Sequence, residues 1–353
     1  METTIPIQNI YYLLCYAWGL PEKRDWVRVD ADSCPAVLDL LARLLNKGAE
    51  LLLKRGLAKE YVTRVEDIPG VKGKLELAQT LKLGRYREGK TICSFDELTG
   101  DILLNQIVFT SLFNILRNKE VDKVIHNDLL RTFSRFPRVQ TIQLTKSVFK
   151  KVQLNRNNRF YRLILNVCEL LSNCLLPENN RPGQFSFMDF TKDEKKMDAL
   201  FESFLRNFYK EKCSEQYPII QSTIFNFKLS PLESKDASAL PVMKTDVTMD
   251  NPSIGKRIIL DAKFYNDMLT SRYESPKLIR DHISQIMSYV QNQEDDNRPY
   301  TYHTTGIMVY PRVNTNETDY NYEQDGHRYR FSTVDLAQDW RYIEQRLQKI
   351  IQL

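Results

Sequence analysis

Three charged residues in the C-terminal half have the types and spacing that hydrolytic chemistry needs. Asp246 lies in one predicted strand, over residues 242–249, and Asp261 and Lys263 lie in the next, over residues 257–265. Strand side chains alternate between faces, so Asp261 and Lys263 point the same way. If the two strands form a hairpin, Asp246 approaches Asp261 at one end of the sheet.

Two carboxylates close together repel when both are ionised, so such a pair favours a bound cation. Oxygen ligands without a nearby His or Cys favour Mg²⁺, and the backbone carbonyl of Ala262 is a further candidate ligand. Lys263 would orient or deprotonate a water and stabilise charge on a phosphate. The group predicts metal-assisted phosphodiester hydrolysis. The alternative is an exposed Asp261–Lys263 ion pair worth less than ~1 kcal/mol.

These residues fall within an ordered alternation of predicted helices and strands. Helices are predicted over about 192–209, 275–291 and 340–353, and strands near 223–228, 242–249, 257–265 and 305–310, with an edge strand at 328–334. This order predicts a compact mixed α/β core.

The N-terminal half is predicted to be an α+β domain with a small β-finger. Helical patterns occur over 9–18, 35–54, 101–116, 124–136 and 160–175, and strand-like alternation occurs over 61–65, 74–77 and 91–95. The segment Pro177 to Gly183, rich in Pro and Asn, is the strongest linker candidate. We therefore expect two domains, 1–180 and 184–353.

Composition excludes several classes of protein. With 42% hydrophobic and 27% charged residues, the chain is neither collagen-like nor wholly disordered. Six scattered cysteines without a C-x-x-C pair argue against disulfides or a zinc site and predict a cytoplasmic location. Neither a membrane span nor a secretion signal is expected. No G-x-x-x-x-G-K-[ST] run occurs, so we expect no nucleotide to be bound by this chain itself.

Positive charge is concentrated in residues 131–162, hereafter the basic segment, which contains no Asp or Glu and has aromatic residues interleaved. This mixture favours a phosphate backbone, and DNA is our hypothesis. The alternatives are a solvated face above core aromatics, or a protein partner. The basic residues are Arg131, Arg135, Arg138, Lys146, Lys150, Lys151, Arg156, Arg159 and Arg162.

The spacing of Asp246, Asp261 and Lys263 resembles the D-x(n)-(D/E)-x-K pattern of the PD-(D/E)xK nuclease superfamily, which implies a restriction-endonuclease-like core. Gln285 and Tyr289 resemble the Q-x-x-x-Y helix that packs beside the site in the exonuclease-like branch. Glu202 corresponds to a metal-holding Glu in parts of the superfamily, or else faces solvent. His282 is interpreted as structural rather than as a base.

Seven stretches, in order along nearly the whole chain, resemble the McrC family of nuclease subunits of McrBC modification-dependent (type IV) restriction systems. They lie at 5–18, 44–48, 68–74, 94–98, 245–247, 261–265 and 307–311. The resemblance implies Asp246, Asp261 and Lys263 as catalytic residues. It also implies that the N-terminal half docks onto a hexameric AAA+ GTPase of the McrB type. That partner would bind GTP, and this chain would stimulate its hydrolysis.

The substrate implied by this resemblance is double-stranded DNA with methylated cytosines, which the partner recognises. Whether the nuclease domains dimerise stays open. So do two other functions: a non-catalytic activator or scaffold of the GTPase, and a stand-alone Mg²⁺-dependent nuclease.

Overall fold

The structure is a computed structural model of the 353-residue chain. It describes residues 5–23, 36–177, 185–229, 239–264, 269–270, 277–313 and 316–352. None of the helices within these residues combines the length and the apolar character that crossing a bilayer requires.

Helices and strands both contribute heavily, which confirms the predicted mixed α/β class. The helices in the described residues are α1 (Ile7–Ala17), α2 (Val37–Arg55), α3 (Leu77–Lys82), α4 (Leu103–Ile115), α5 (Lys123–Arg135), α6 (Lys146–Lys150), α7 (Arg162–Cys174), α8 (Glu194–Cys213), α9 (Arg280–Gln291) and α10 (Trp340–Ile350). The strands are β1 (Glu60–Pro69), β2 (Lys74–Leu75), β3 (Lys90–Thr99), β4 (Leu175–Pro177), β5 (Phe185–Phe187), β6 (Ile219–Gln221), β7 (Ile224–Asn226), β8 (Val242–Lys244), β9 (Val247–Asn251), β10 (Lys256–Ala262), β11 (Leu269–Thr270), β12 (Lys277–Leu278), β13 (Thr305–Arg312), β14 (Asp319–Gln324) and β15 (His327–Asp335).

The chain forms two compact units whose boundaries differ from the expected 1–180 and 184–353. One unit combines residues 1–37 with 189–353, and the other spans 38–188. The reason is helix α1, whose aromatic face packs on α8 in the core of the C-terminal part. Its Tyr12 and Tyr16 rings each lie 5.7 Å from the ring of Phe204. The first helix therefore belongs with the predicted nuclease core.

The predicted linker lies inside the second unit. Strands β4 and β5, on either side of it, pair antiparallel, with Leu175 opposite Phe187. Residues 178–184, most of the expected linker, lie outside the described residues. The change of unit comes at Met188 and Asp189 instead. The Pro- and Asn-rich sequence after residue 176 therefore marks the connection between two paired strands and not a domain boundary.

A six-stranded mixed sheet, ordered β14-β15-β13-β10-β9-β6, organises the first unit. Strands β10, β13 and β15 run parallel, and β9 returns antiparallel to β10. The expectation of an edge strand at 328–334 is wrong, because β14 pairs on the outer side of β15. The stretch over 319–324 is polar and largely exposed, so it carries no strand signal of its own.

Helices cover both faces of this sheet. Leu260, Ile307 and Val309 face the cluster that contains α1, α8 and α10. Ile259 and Met308, which alternate with them, face α9. Gly306 allows α9 to approach closely, since a Cβ there would lie 2.8 Å from Ile286 Cγ1. These helices place polar side chains at the carboxyl ends of β10 and β13.

The second unit contains the predicted β-finger, formed by β1, β3 and β2 in that order (residues 60–99). A buried hydrogen-bond network connects the base of the β-finger to the helices of this unit. Asn105 Nδ2 donates to the carbonyls of Ala58 and Gly100, which flank the β-finger. Tyr161 donates to Asn105 Oδ1 over 2.6 Å and accepts from the Ala58 N–H over 2.9 Å.

Candidate active site

The β9–β10 hairpin brings Asp246 and Asp261 to the same end of the sheet. The last residues paired between the two strands are Val247 and Leu260. Asp246 directly precedes Val247 and Asp261 directly follows Leu260, so both aspartates lie just beyond the end of the pairing. Asp246 lies between β8 and β9, where the predicted continuous strand is interrupted. Its Oδ2 accepts a hydrogen bond of 2.7 Å from the backbone N–H of Ala262. This bond fixes the Asp246 carboxylate beside the end of β10.

Lys263 follows β10 and completes the group. Its backbone N–H donates to the Val309 carbonyl over 3.0 Å, which extends the pairing with β13. Its Nζ lies 2.8 Å from Asp261 Oδ2, with the two side chains only 16% and 2% exposed. The alternative of an exposed surface ion pair therefore does not hold. A buried pair of this kind needs its partners, and losing one leaves an uncompensated charge.

Burial makes the two carboxylates hard to ionise together. Burial, then repulsion from Asp261 and Glu202, raises the pKa of Asp246 to about 8. Burial also raises the pKa of Asp261 to about 6, although Lys263 opposes the shift. Burial acts to lower the pKa of Lys263, but the attraction of Asp261 outweighs it and the pKa is raised. Lys263 is therefore held as a cation.

The donor set fits a hard divalent cation. Two buried carboxylates with raised pKa values release their protons when a cation supplies the missing positive charge. Within the described residues, no group of three or more His, Cys, Asp and Glu side chains is arranged to hold an ion. Asp246 and Asp261 would therefore rely on backbone oxygen, such as that of Ala262, and on water. Mg²⁺ fits such a site, because it usually keeps several water ligands and binds to proteins through only one or two carboxylates.

Helix α9 brings Gln285 and Tyr289 to the same place. Gln285 Nε2 donates to Asp261 Oδ1 over 3.3 Å and to the Tyr289 hydroxyl over 2.8 Å. These bonds orient the Asp261 carboxylate from the sheet face that α9 covers. His282 lies one turn earlier, is buried, and its Nδ1 is 3.0 Å from the Tyr310 hydroxyl. That contact gives His282 a structural partner on β13.

Helix α8 presents Glu202 and a residue that sequence reasoning missed, Asp198. Burial and the charge of Asp198 raise the pKa of Glu202, while Lys263 and Lys244 lower it. Asp198 Oδ1 accepts from the Phe264 N–H over 3.0 Å, directly after Lys263. One signal could have found it: Asp198, Glu202 and Arg206 recur every four residues on a helix whose other face is aromatic.

Other predicted contact residues lie in the second unit. The eight candidates for DNA or partner contact, which come from the basic segment, are all exposed: Arg131, Arg135, Arg138, Lys146, Lys150, Lys151, Arg156 and Arg159. The interleaved aromatics have a different role from the one expected. Phe136 and Tyr161 are buried, and the Phe133 ring stacks on Phe109 at 4.9 Å. Two of the rings are therefore core residues and none of the segment's five is fully exposed, whereas every basic side chain of the segment is exposed.

Replacing Asp246 by Asn is expected to stabilise the metal-free chain by at least about 1 kcal/mol near neutral pH, because it removes the cost of keeping a buried carboxyl group protonated. In the parent, stability should fall as pH rises from about 4 to about 8: the folded state keeps protons that an unfolded aspartate, with its ordinary pKa of 3.8, has released. The fall should be smaller in the variant. Urea unfolding in EDTA at several pH values measures both effects.

The matched control for this prediction is Asp281→Asn, which removes an exposed carboxylate at the start of α9. We expect it to leave stability unchanged or to lower it slightly, because negative charge is favourable at a helix N-terminus. Equal stabilisation by both variants would show that the unfavourable free energy does not come from burial of the Asp246 and Asp261 carboxyl groups.

Comparison with known proteins identifies a family and similar proteins. The model of the family described as McrBC 5-methylcytosine restriction system component matches residues 7–311. The type IV methyl-directed restriction enzyme EcoKMcrBC of Escherichia coli (strain K12) is 30% identical over 348 residues, which cover 98% of this chain and 97% of that protein. A solved half-complex of Thermococcus gammatolerans McrB AAA+ hexamers with bound McrC matches with a TM-score of 0.56 and 18% identity, over 98% of this chain and 76% of that one.

Proposed function

Because this chain belongs to the family of McrBC 5-methylcytosine restriction system components, we propose that it is the DNA endonuclease subunit of such a system. The observation that carries the proposal is the buried group of Asp246, Asp261 and Lys263 at one end of a mixed α/β sheet. A structural protein gains nothing from two buried carboxylates that repel each other, since apolar residues would stabilise the core more. Such strain is typical of sites that act on a ligand.

Each residue has a definable task in phosphodiester hydrolysis. Asp246, Asp261 and the Ala262 carbonyl would hold Mg²⁺, and Glu202 and Asp198 add negative charge nearby. When bound, Mg²⁺ would polarise the phosphate and lower the pKa of a bound water. Lys263, as a cation, would stabilise the charge that develops on the phosphate oxygens. Gln285 would keep the Asp261 carboxylate in a fixed orientation through its hydrogen bond.

The proposed complex includes a McrB-like hexameric AAA+ GTPase, whose GTP hydrolysis this chain stimulates. Support comes from the E. coli relative, which is a methyl-directed restriction enzyme, and from the archaeal structure, in which McrC is bound to McrB AAA+ hexamers. The proposed substrate is double-stranded DNA with methylated cytosines. Recognition of the modified base would belong to the partner, and cutting to this chain.

Cleavage of a long DNA with methylated cytosines tests the proposal. The chain is assayed alone and with the AAA+ protein encoded beside it, with GTP and Mg²⁺ each present or omitted. We expect cutting only in the complete mixture. Cutting by the chain alone with Mg²⁺ would favour a stand-alone nuclease. No cutting of any modified DNA, with faster GTP hydrolysis by the partner, would favour a non-catalytic activator.

A further inference from the structure

The basic segment carries positive charge of which little is paired with acidic side chains. All nine of its basic side chains are exposed. Arg131 forms an ion pair with Asp128 at 3.1 Å, and the other eight contact no acidic side chain among the described residues. They follow one another along the end of α5, the loop after it, α6 and the start of α7. Residues 131–162 contain no acid, so apart from Asp128 beside Arg131 no acidic side chain next to them in the sequence neutralises them.

In the β-finger of the same unit, by contrast, basic side chains are paired with acidic ones. Residues 60–99 contain seven basic and seven acidic residues. Arg64 Nε lies 2.6 Å from a Glu97 carboxylate oxygen, and Arg85 Nε lies 3.0 Å from Asp67 Oδ2. The charges of the β-finger are thus largely satisfied within the fold, whereas those of the basic segment are left for an external polyanion.

The burial of aromatic rings in the basic segment distinguishes between single-stranded nucleic acid and a duplex as its partner. Single-stranded nucleic acid is held by aromatic side chains on which its bases stack. In the basic segment Phe136 and Tyr161 are buried, Phe133 stacks on Phe109, and the Arg55 guanidinium lies 4.1 Å from the centre of the Phe160 ring. Few rings are left for bases. Charge without stacking matches the backbone of a duplex, which carries a regular, dense array of phosphates.

We propose that the basic segment binds the phosphate backbone of duplex DNA without reading its sequence. This inference rests on the proposed function, since it assigns to the second unit the contact with the DNA that the first unit cuts. Because phosphate contacts position a protein and carry no sequence information, affinity is the same for methylated and unmodified duplexes. It falls steeply with salt because bound cations are released.

Binding of a short fluorescein-labelled duplex to the full-length chain, followed by fluorescence anisotropy between about 50 and 200 mM salt, tests the proposal. The test variant carries Lys150→Gln, Lys151→Gln and Arg156→Gln. All measurements use the Asp261→Asn background, so binding is measured without cutting. Loss of three phosphate contacts should lower affinity on the order of 10²-fold and make the slope of log affinity against log salt shallower by about 3.

The matched control carries Arg64→Gln, Arg85→Gln and Lys90→Gln, which remove the same formal charge from side chains that face carboxylates. It should change affinity and slope far less. Equal losses in both variants would overturn the proposal in favour of the general charge of the chain. Unchanged DNA binding with lost GTPase stimulation would place the basic segment at the partner protein instead. Neither readout depends on cleavage, so a failure of the proposed nuclease function would appear separately.

Discussion

Asp261→Asn is expected to lower DNA cleavage by the complete mixture at least about 10³-fold, because it removes the charge that holds both the cation and Lys263. The variant keeps the size of the side chain and an oxygen that can accept from Gln285. We therefore expect the fold to remain, at some cost in stability because Lys263 loses its partner, and GTP hydrolysis by the partner to be stimulated as before. Gel analysis of the cut DNA and phosphate release from GTP measure the two activities in one reaction.

The control for this prediction is Asp325→Asn, at the exposed turn between β14 and β15, which should leave cleavage within about twofold of the parent. Lys263→Ala provides a second variant of the same group and should lose cleavage to a similar extent. If Asp261→Asn cut DNA normally, the buried group would not be catalytic. The hypothesis that this chain is a non-catalytic activator of the GTPase would then be favoured. Loss of both activities would indicate that the variant chain had not folded.

Phe204→Ala is expected to destabilise the first unit by about 3–5 kcal/mol. Phe204 is fully buried on α8, and its ring lies within 5.9 Å of the rings of Tyr12, Tyr16, Phe201 and Phe208. Truncation leaves a cavity where α1 meets α8. All three tryptophans, Trp18, Trp26 and Trp340, fall within the residue ranges of this unit. Urea unfolding followed by tryptophan fluorescence therefore reports on this unit.

Leu200→Ala on the same helix is the matched control, because Leu200 is only partly buried against the same cluster. It should cost clearly less than Phe204→Ala. Equal and small losses for the two variants would mean that α1 is not held by the aromatic cluster, and the assignment of residues 1–37 to the first unit would then lose its physical basis.

The elements of the candidate site could be predicted because their signals are local. Alternation along 242–249 and 257–265 predicts two strands, the turn between them predicts the hairpin, and the hairpin register places Asp246 beside Asp261. The four-residue spacing of Gln285 and Tyr289 similarly predicts one helix face. Asp198 was missed because its contact with the Phe264 N–H joins residues 66 apart in the chain, and the four-residue spacing on α8 does not reveal that partner.

The partners of whole elements could not be predicted for the same reason. The pattern in residues 9–18 predicts a buried helix, which is confirmed as α1, but periodicity does not say which surface buries it. Hydrogen bonds from Asn9 to the carbonyls of Leu336 and Gln338 join opposite ends of the chain. Likewise, aromatic residues in the basic segment are compatible with a core or with a base-stacking surface. Only their burial distinguishes the two.

The position of α1 also sets the order in which the molecule can assemble during translation. Tyr12 and Tyr16 both donate to Glu344 Oε1, and Asn9 reaches Leu336 across 327 residues of sequence. At ribosomal rates, α1 waits on the order of 15–65 s for these partners, while residues 38–188 emerge and fold as a unit. A nascent or prematurely released chain therefore lacks a closed core around Asp261. The proposed cutting site therefore becomes competent only when synthesis of the chain is nearly finished.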